Sequence, residues 1–326
     1  MEESRVIARR FLALASLAVV AASAMAQTYP TKPIRLVVPF PPGGGTDIFA
    51  RVIANKLTET LKWVVVVDNK PGAGGNIGVD LAAKSPPDGY TMVLGQTSNL
   101  AINPTLYAKL PYDPLKDLIP VVGIASAPVV LIVAANSPYK SLDDIVAAAK
   151  ANPGGLMFAS PGNGTVSHLA CERLQRVAGI KFEHVPYKGS SQAMADVIGG
   201  NVELFMASVP SVLAQINGGK LRAIVVTSKK RATELPQVPT VAESGYKDFE
   251  ASTWYGLLVP SGTPSTIVGR LNAEVNRVLE MPDVRAHIGA EGGQPLGGTP
   301  EQFASLLHSE HAIWGKAVKE SGAKVD

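Results

Sequence analysis

The sequence predicts an α/β protein of two lobes, each a mainly parallel sheet flanked by helices, with the chain crossing twice between them. Three observations lead there. Strand–turn–helix units recur with no fixed period, which is α/β architecture rather than a tandem array. Several strands are near-continuous apolar runs, as parallel strands covered on both faces are. The 326 residues, 46% of them apolar, suit two packed domains.

The first unit is the most informative. Residues 34–38 (IRLVV) read as a buried strand, 39–47 (PFPPGGGTD) as a glycine-rich turn, and the stretch to Leu61 as a helix. Phe49, Val52, Ile53 and Leu57 recur at helical spacing, with Arg51, Lys56 and Glu59 between them. Gly43, Gly44 and Gly45 carry no Cβ, so a ligand can approach the backbone. Thr46 or Asp47 can cap the helix, whose first N–H groups and positive dipole end attract an anion. Two similar units follow. Strand 63–67 precedes the turn DNKPGAGGNIGVD (68–80) and a short helix toward Lys84. Strand 91–95 ends in Gln96, Thr97, Ser98 and Asn99. Ligands of parallel sheets sit beyond the carboxyl ends of the strands, so these turns are expected to converge on one cleft.

Residues 120–133 (PVVGIASAPVVLIV) read as two apolar strands meeting around 125–128, the first crossing. Ser141-Leu142-Asp143-Asp144 fits a capping box opening a helix to Lys150. Strand 156–159 leads through the turn SPGNGT (160–165) into a helix at 167–178. Strand 182–187 precedes a helix at 192–198. Strands 202–206 and 221–227 follow, and the chain crosses back around 251–259 (ASTWYGLLV). Thr263-Pro264 reads as a cap followed by proline at the first helical position, with Ile267, Leu271, Val275 and Val278 as the apolar stripe. Thr299-Pro300-Glu301-Gln302 opens a final helix carrying Phe303, Leu306, Leu307 and Trp314. These last helices are expected on the first lobe, so that residues 27–125 and 252–326 form one domain and 126–251 the other. Two lobes on two crossings make a hinge that can close around a ligand.

Residues 1–26 read as a secretory signal. Arg5, Arg9 and Arg10 are its basic region, 11–20 its apolar region, and Ala24-Met25-Ala26 its cleavage site. The net charge of +3 lacks a nucleic-acid footprint. Cys171 is the one cysteine, so no intramolecular disulfide is possible, and no cysteine follows Ala26 to take a lipid anchor. The expected product is an exported monomer in a bacterial periplasm, without cofactor or metal.

Several motifs fail on inspection. PFPPGGGTD lacks the lysine of a phosphate loop, and GAGGNIG and SPGNGTVS break the dinucleotide register at Ile77 and Ser167. His308, Glu310 and His311 match no zinc spacing, no G-x-S-x-G nucleophile elbow exists, and Cys171 reads as a buried, inert thiol. His184 and His287 have no evident partners. Ser160, Asn163, Thr165 and Ser167 offer hydroxyls and an amide at a helix start, as ordinary caps or as a second polar rim with Thr97, Ser98 and Asn99. His168, in that helix's first turn, is either a structural histidine or a ligand contact. Phe40 and Tyr187 either stack on a ligand or close the core.

YPTKPIRLVVPFPPGGGTD, NKPGAGGNIG, VPYKGSSQAMADVIGG and LPQVPTVAESG together resemble the Bug family, the periplasmic solute receptors of tripartite tricarboxylate transporters. The resemblance spans the mature chain in the family's order. It implies a two-lobed periplasmic-binding fold of type II-like form, a small organic carboxylate ligand, and delivery to membrane permease subunits. By motif, Phe40, Gly44, Gly45, Thr46 and Asp47, then Ala73 and Gly74, form the first-lobe wall, completed by Thr97, Ser98 and Asn99. Ser160, Asn163, Gly164, Thr165 and His168 match the second-lobe anion turn. Many members carry an acidic or amide residue after the VDLMF-like strand, where this chain has Ala207 then Ser208, and that departure implies acids without an ammonium group. Two other functions remain open at this point, a ligand-sensing input to a membrane signalling system and an exported carboxylate-acting enzyme.

Overall fold

The structure, a computed structural model, describes residues 29–321 and Val325. The signal segment read at 1–26 lies outside the described residues. The chain opens with β1 (Ile34–Val38), α1 (Gly45–Leu61), β2 (Val65–Asn69), α2 (Asn76–Ala83) and β3 (Thr91–Gln96). A π-helical turn at Ser98–Ile102 and a short α3 (Asn103–Leu106) lead to β4 (Leu118–Ala134). The second lobe follows with α4 (Leu142–Ala151), β5 (Met157–Ser160), α5 (Val166–Ala178), β6 (Glu183–Pro186) and α6 (Ser190–Ile198), then β7 (Leu204–Ser208), α7 (Val209–Asn217) and β8 (Leu221–Val226). The chain returns along β9 (Ser252–Pro260) and ends with α8 (Ser265–Glu280), α9 (Pro282–Ala290), β10 (Gln294–Gly297) and α10 (Pro300–Ser321).

The strands run in the order β2-β1-β3-β9-β4-β7-β5-β6, with β8 and β10 also paired to β4. β1 lies parallel to β2 and β3, and β5 parallel to β6 and β7, as the apolar runs predict. β4 and β9 run antiparallel to their neighbours, so both sheets are mixed. The apolar run 120–133, expected as two strands, is one strand of 17 residues. Residues 118–128 of β4 pair with β9, and residues 129–134 pair with β7 and β8. Irregular register at Pro120–Val122 and Gly123–Ala125 adds local twist. One continuous strand can thereby leave one sheet and enter the next without a turn.

Each lobe has its own core. Leu36, Phe49, Ile53 and Leu57 pack with Leu271 and Val275 in the first. Leu131, Val133, Phe158, Leu174 and Met206 pack in the second. The Ser141 capping box forms as read, with Asp144 N–H donating to Ser141 Oγ and Ser141 N–H to Asp144 Oδ2. Thr299 and Gln302 form the same reciprocal pair. Thr263 does not cap α8: its hydroxyl donates to the Pro260 carbonyl at 2.7 Å, and the helix starts at Ser265 behind Pro264. α10 also departs from expectation. Phe303 and Leu307 sit in a first-lobe cluster, Trp314 touches both lobes, and Val318 is buried among second-lobe residues. Among the described residues no helix is long and apolar enough to cross a membrane.

Candidate functional site

The glycine turn after β1 delivers the start of α1. Gly44 is its N-cap and has no side-chain partner there. Asp47 neither caps the helix nor lines the cleft. It folds back on the turn, accepting from Gly43 N–H at 3.0 Å and Asn69 Nδ2 at 2.9 Å and pairing with Arg51. Burial pushes this carboxyl up, but the hydrogen bonds from Arg51, Gly43 and Asn69 outweigh it and hold it below the usual range. Asp47 is a brace.

Across the cleft, Thr165 is the N-cap of α5. Its hydroxyl accepts from His168 N–H at 3.3 Å and donates to the Gly162 carbonyl at 2.8 Å. Behind it, Ser160 Oγ lies 2.7 Å from His184 Nε2 and accepts from Gly162 N–H. His168 Nδ1 accepts from Gly164 N–H at 3.3 Å, and its ring stacks on His184 at 4.2 Å. His184 therefore has the partners that sequence could not show. Burial pulls His168 down to about 4, and burial together with His168 pulls His184 down to about 3, so both rings are neutral at pH 7.

Four helix starts open onto the cleft: Gly45 and Thr46 of α1, Val166 and Ser167 of α5, Ser190 of α6, and Ser208 with Ser211 at α7. Phe40, Pro41, Gly44, Gln96, Ser98, Pro161, Thr165, Thr253 and Tyr255 complete the wall. No lining residue is acidic or basic. The first N–H groups of a helix have no partner within it, so the lining is electrically neutral in its side chains yet positive in its backbone field. Ser98 Oγ is buried and has no hydrogen-bond partner, which leaves it for whatever enters.

Of the residues expected from sequence, Phe40, Gly44, Gly45, Thr46, Ser98, Thr165, Ser167 and Ser208 line the cleft. The others stand beside or behind it. A Cβ on Gly74 would lie 2.9 Å from the Asn163 carbonyl, and one on Gly164 would lie 2.4 Å from Asn103 Oδ1. Gly74, Asn163 and Gly164 thus form the seam where the lobes meet, and Ala73 precedes Gly74 in its short helical turn. Thr97 Oγ1 accepts from Trp254 N–H at 3.0 Å and ties β3 to β9. Asn99 Oδ1 accepts from Gln96 N–H at 3.0 Å and shapes the π-helical turn. Ser160 and His168 support the second-lobe turn from behind.

Sequence reading missed Gln96, Ser190, Ser211, Thr253 and Tyr255. Ser211 carried a usable signal, lying three residues after Ser208 at the start of a helix, where such pairs are neighbours. Tyr255 carried none, since an aromatic residue in an apolar strand reads as core.

The cleft is nearly shut, with a cavity of about 30 Å³. Ser191 Oγ donates to the Pro42 carbonyl at 2.9 Å, and Gly45 N–H donates to Ser211 Oγ at 3.1 Å, both between lobes. Larger hollows lie elsewhere, about 480 Å³ beside α4 and about 750 Å³ between α5 and α10. Both are lined by charged side chains and neither gathers more than one helix start, so the shut cleft is the better site. Among the described residues no cluster of three or more His, Cys, Asp or Glu is arranged to hold a metal ion.

The sequence profile of the tripartite tricarboxylate transporter family receptor matches residues 49–323. Protein BugT of Bordetella pertussis is 41% identical over 307 residues, covering 94% of each chain. The structure of R. palustris Rpa4515 with adipate is 35% identical and superimposes with a TM-score of 0.89, covering 91% of this chain and all of that one. MatC (Rpa3494) from Rhodopseudomonas palustris, with bound malate, is 32% identical with a TM-score of 0.83, covering 89% of this chain and all of the other.

Proposed function

Because this chain belongs to the tripartite tricarboxylate transporter receptor family, the Bug proteins, we propose that it closes its lobes on a small organic carboxylate and presents the closed form to membrane permease subunits. That family consists of periplasmic solute-binding receptors rather than enzymes. We read the chain as exported by its signal segment, cleaved after Ala26, and active as a periplasmic monomer.

The observation that carries this reading is the convergence of four helix starts on a cleft without a charged side chain. Each start acts as roughly half a positive charge, and hydrogen bonds to a charged group contribute about 1.5–3 kcal/mol each. Four to six such donors reach the roughly 8 kcal/mol of micromolar binding after association costs of several kcal/mol. Relatives with adipate and with malate support an organic acid as the ligand. A cavity of about 30 Å³ has room for one or two water molecules, so an acid enters only when the lobes part. We place the hinge where β4 changes partners at Pro128–Val129 and where β9 begins at Ser252.

Thermal-shift titration with mono-, di- and tricarboxylates, adipate and malate among them, tests the reading. Stabilisation by at least one acid, recovered unchanged by mass spectrometry, is expected. A flat response to every acid would overturn it, and a converted product would favour an enzyme.

A further inference from the structure

Ser208 breaks a local rule. As N-cap of α7 its hydroxyl would ordinarily accept from the backbone N–H of Ser211, a bond whose loss costs about 1 kcal/mol. Here it makes no such bond. Its Oγ instead lies 2.7 Å from Ser211 Oγ. Ser211 Oγ in turn accepts from Gly45 N–H at 3.1 Å. Tyr255 and Gly45 belong to the first lobe, through β9 and α1, and Ser208 and Ser211 to the second, through β7 and α7. The bond from Gly45 to Ser211 therefore crosses between lobes, and the serine pair carries it on to Ser208.

The surroundings hold this chain in place. Tyr255 is 1% exposed, and its ring meets Phe49 edge-on at 5.0 Å. Gly45 has ordinary helical backbone, yet a Cβ there would lie 2.5 Å from the Tyr255 hydroxyl and 3.1 Å from Ser208 Oγ. Glycine is required at that position for space, not for conformation. Two hydroxyl hydrogens serve the one link between the serines, so one hydrogen is left to donate into the cleft that both residues line.

We propose that Ser208 and Ser211 form an affinity-determining latch, which bonds the lobes together across the start of α1 and offers its spare hydrogen to an acceptor oxygen of the ligand. The bonding of the lobes stands on geometry alone, and the spare hydrogen's role rests on the carboxylate reading. Breaking the crossing bond loosens closure. Its loss is expected to weaken acid binding by about threefold to tenfold, through faster dissociation, since the same bond holds the closed lobes over the acid.

The test uses the full mature chain with nitroxide labels at Glu280→Cys on α8 and Lys150→Cys on α4, both exposed positions; Cys171 is buried and escapes labelling. Distances between the labels are measured without ligand in the parent and in Ser211→Ala, Ser208→Ala and the double variant. Each single change removes one oxygen, and melting midpoints confirm folding. Broader, longer distances in Ser211→Ala, with a smaller change in Ser208→Ala, are expected. Stopped-flow binding of adipate and malate should then show a raised dissociation rate without slower association. Distance distributions identical to the parent in all folded variants would overturn the latch, as would a loss confined to association. Should neither acid bind the parent, the carboxylate reading loses support, while the ligand-free distances still decide the latch. Should Ser211→Ala fail to fold, Ser208→Ala, which removes the hydroxyl partner of Ser211, decides it by the same distances.

Discussion

Gly45→Ala isolates the geometry at the mouth of α1. The new methyl would meet the Tyr255 hydroxyl at 2.5 Å and the ring carbon bearing it at 3.2 Å. Tyr255 cannot swing aside, because it is 1% exposed and wedged against Phe49. Overpacking of this kind costs about 1–3 kcal/mol. The propensity gain of alanine over glycine, about 1 kcal/mol inside a helix, offsets only part of that at a first helical residue. A net loss of about 1–2 kcal/mol is expected, read as a lower urea midpoint. Tyr255→Phe removes the offending oxygen, so the same Gly45→Ala change made in the Tyr255→Phe background should cost less by about 1 kcal/mol. Equal stability of Gly45→Ala and the parent, or an undiminished loss in the Tyr255→Phe background, would refute the account of Gly45 as a space requirement.

Ser98→Ala removes a buried hydroxyl that has no partner; ligand-free stability should hold or rise by up to about 1 kcal/mol, while acid affinity falls about tenfold by calorimetry, and a parallel loss of both would contradict a ligand-facing role. Affinity for a fully ionised acid should be flat between about pH 6 and pH 9, because the one ionisable lining side chain, Tyr255, is pushed up to about 12 by burial; a tenfold slope across that range would implicate another group. His168 is held near 4 in the fold, below its unfolded value of about 6.5. As pH falls the unfolded chain takes the proton first, so stability fully present above about 6.5 is lost as pH drops toward 4. His168→Asn, which keeps an acceptor for Gly164 N–H, should lose less stability than the parent between pH 7 and pH 4.5 in urea melts; parallel losses would deny this histidine its part.

The site was legible in the sequence wherever its signal was local. The glycine turn and the stripe of Phe49, Ile53 and Leu57 announce a strand, an open helix start and a buried face within one short stretch. Ser141 and Thr299 announce capping boxes because both partners lie within three residues. His184 is the opposite case. It sits in β6 beside Phe158 of the parallel strand β5, within reach of Ser160 at the same strand's end, and nothing around residue 184 encodes that proximity. β4 misled for a related reason. A strand that changes partners midway carries no turn residues, and its length is visible only through the partners on either side.

Composition, periodicity and turn chemistry, properties of neighbours along the chain, determined by themselves that this is an α/β protein whose helices start behind glycine-rich or polar turns. Which polar groups meet across the cleft was decided by tertiary structure alone. Gly45 and Ser211 come from segments far apart in the chain, and only the closing of one lobe on the other brings the Gly45 N–H within hydrogen-bonding distance of the Ser211 hydroxyl.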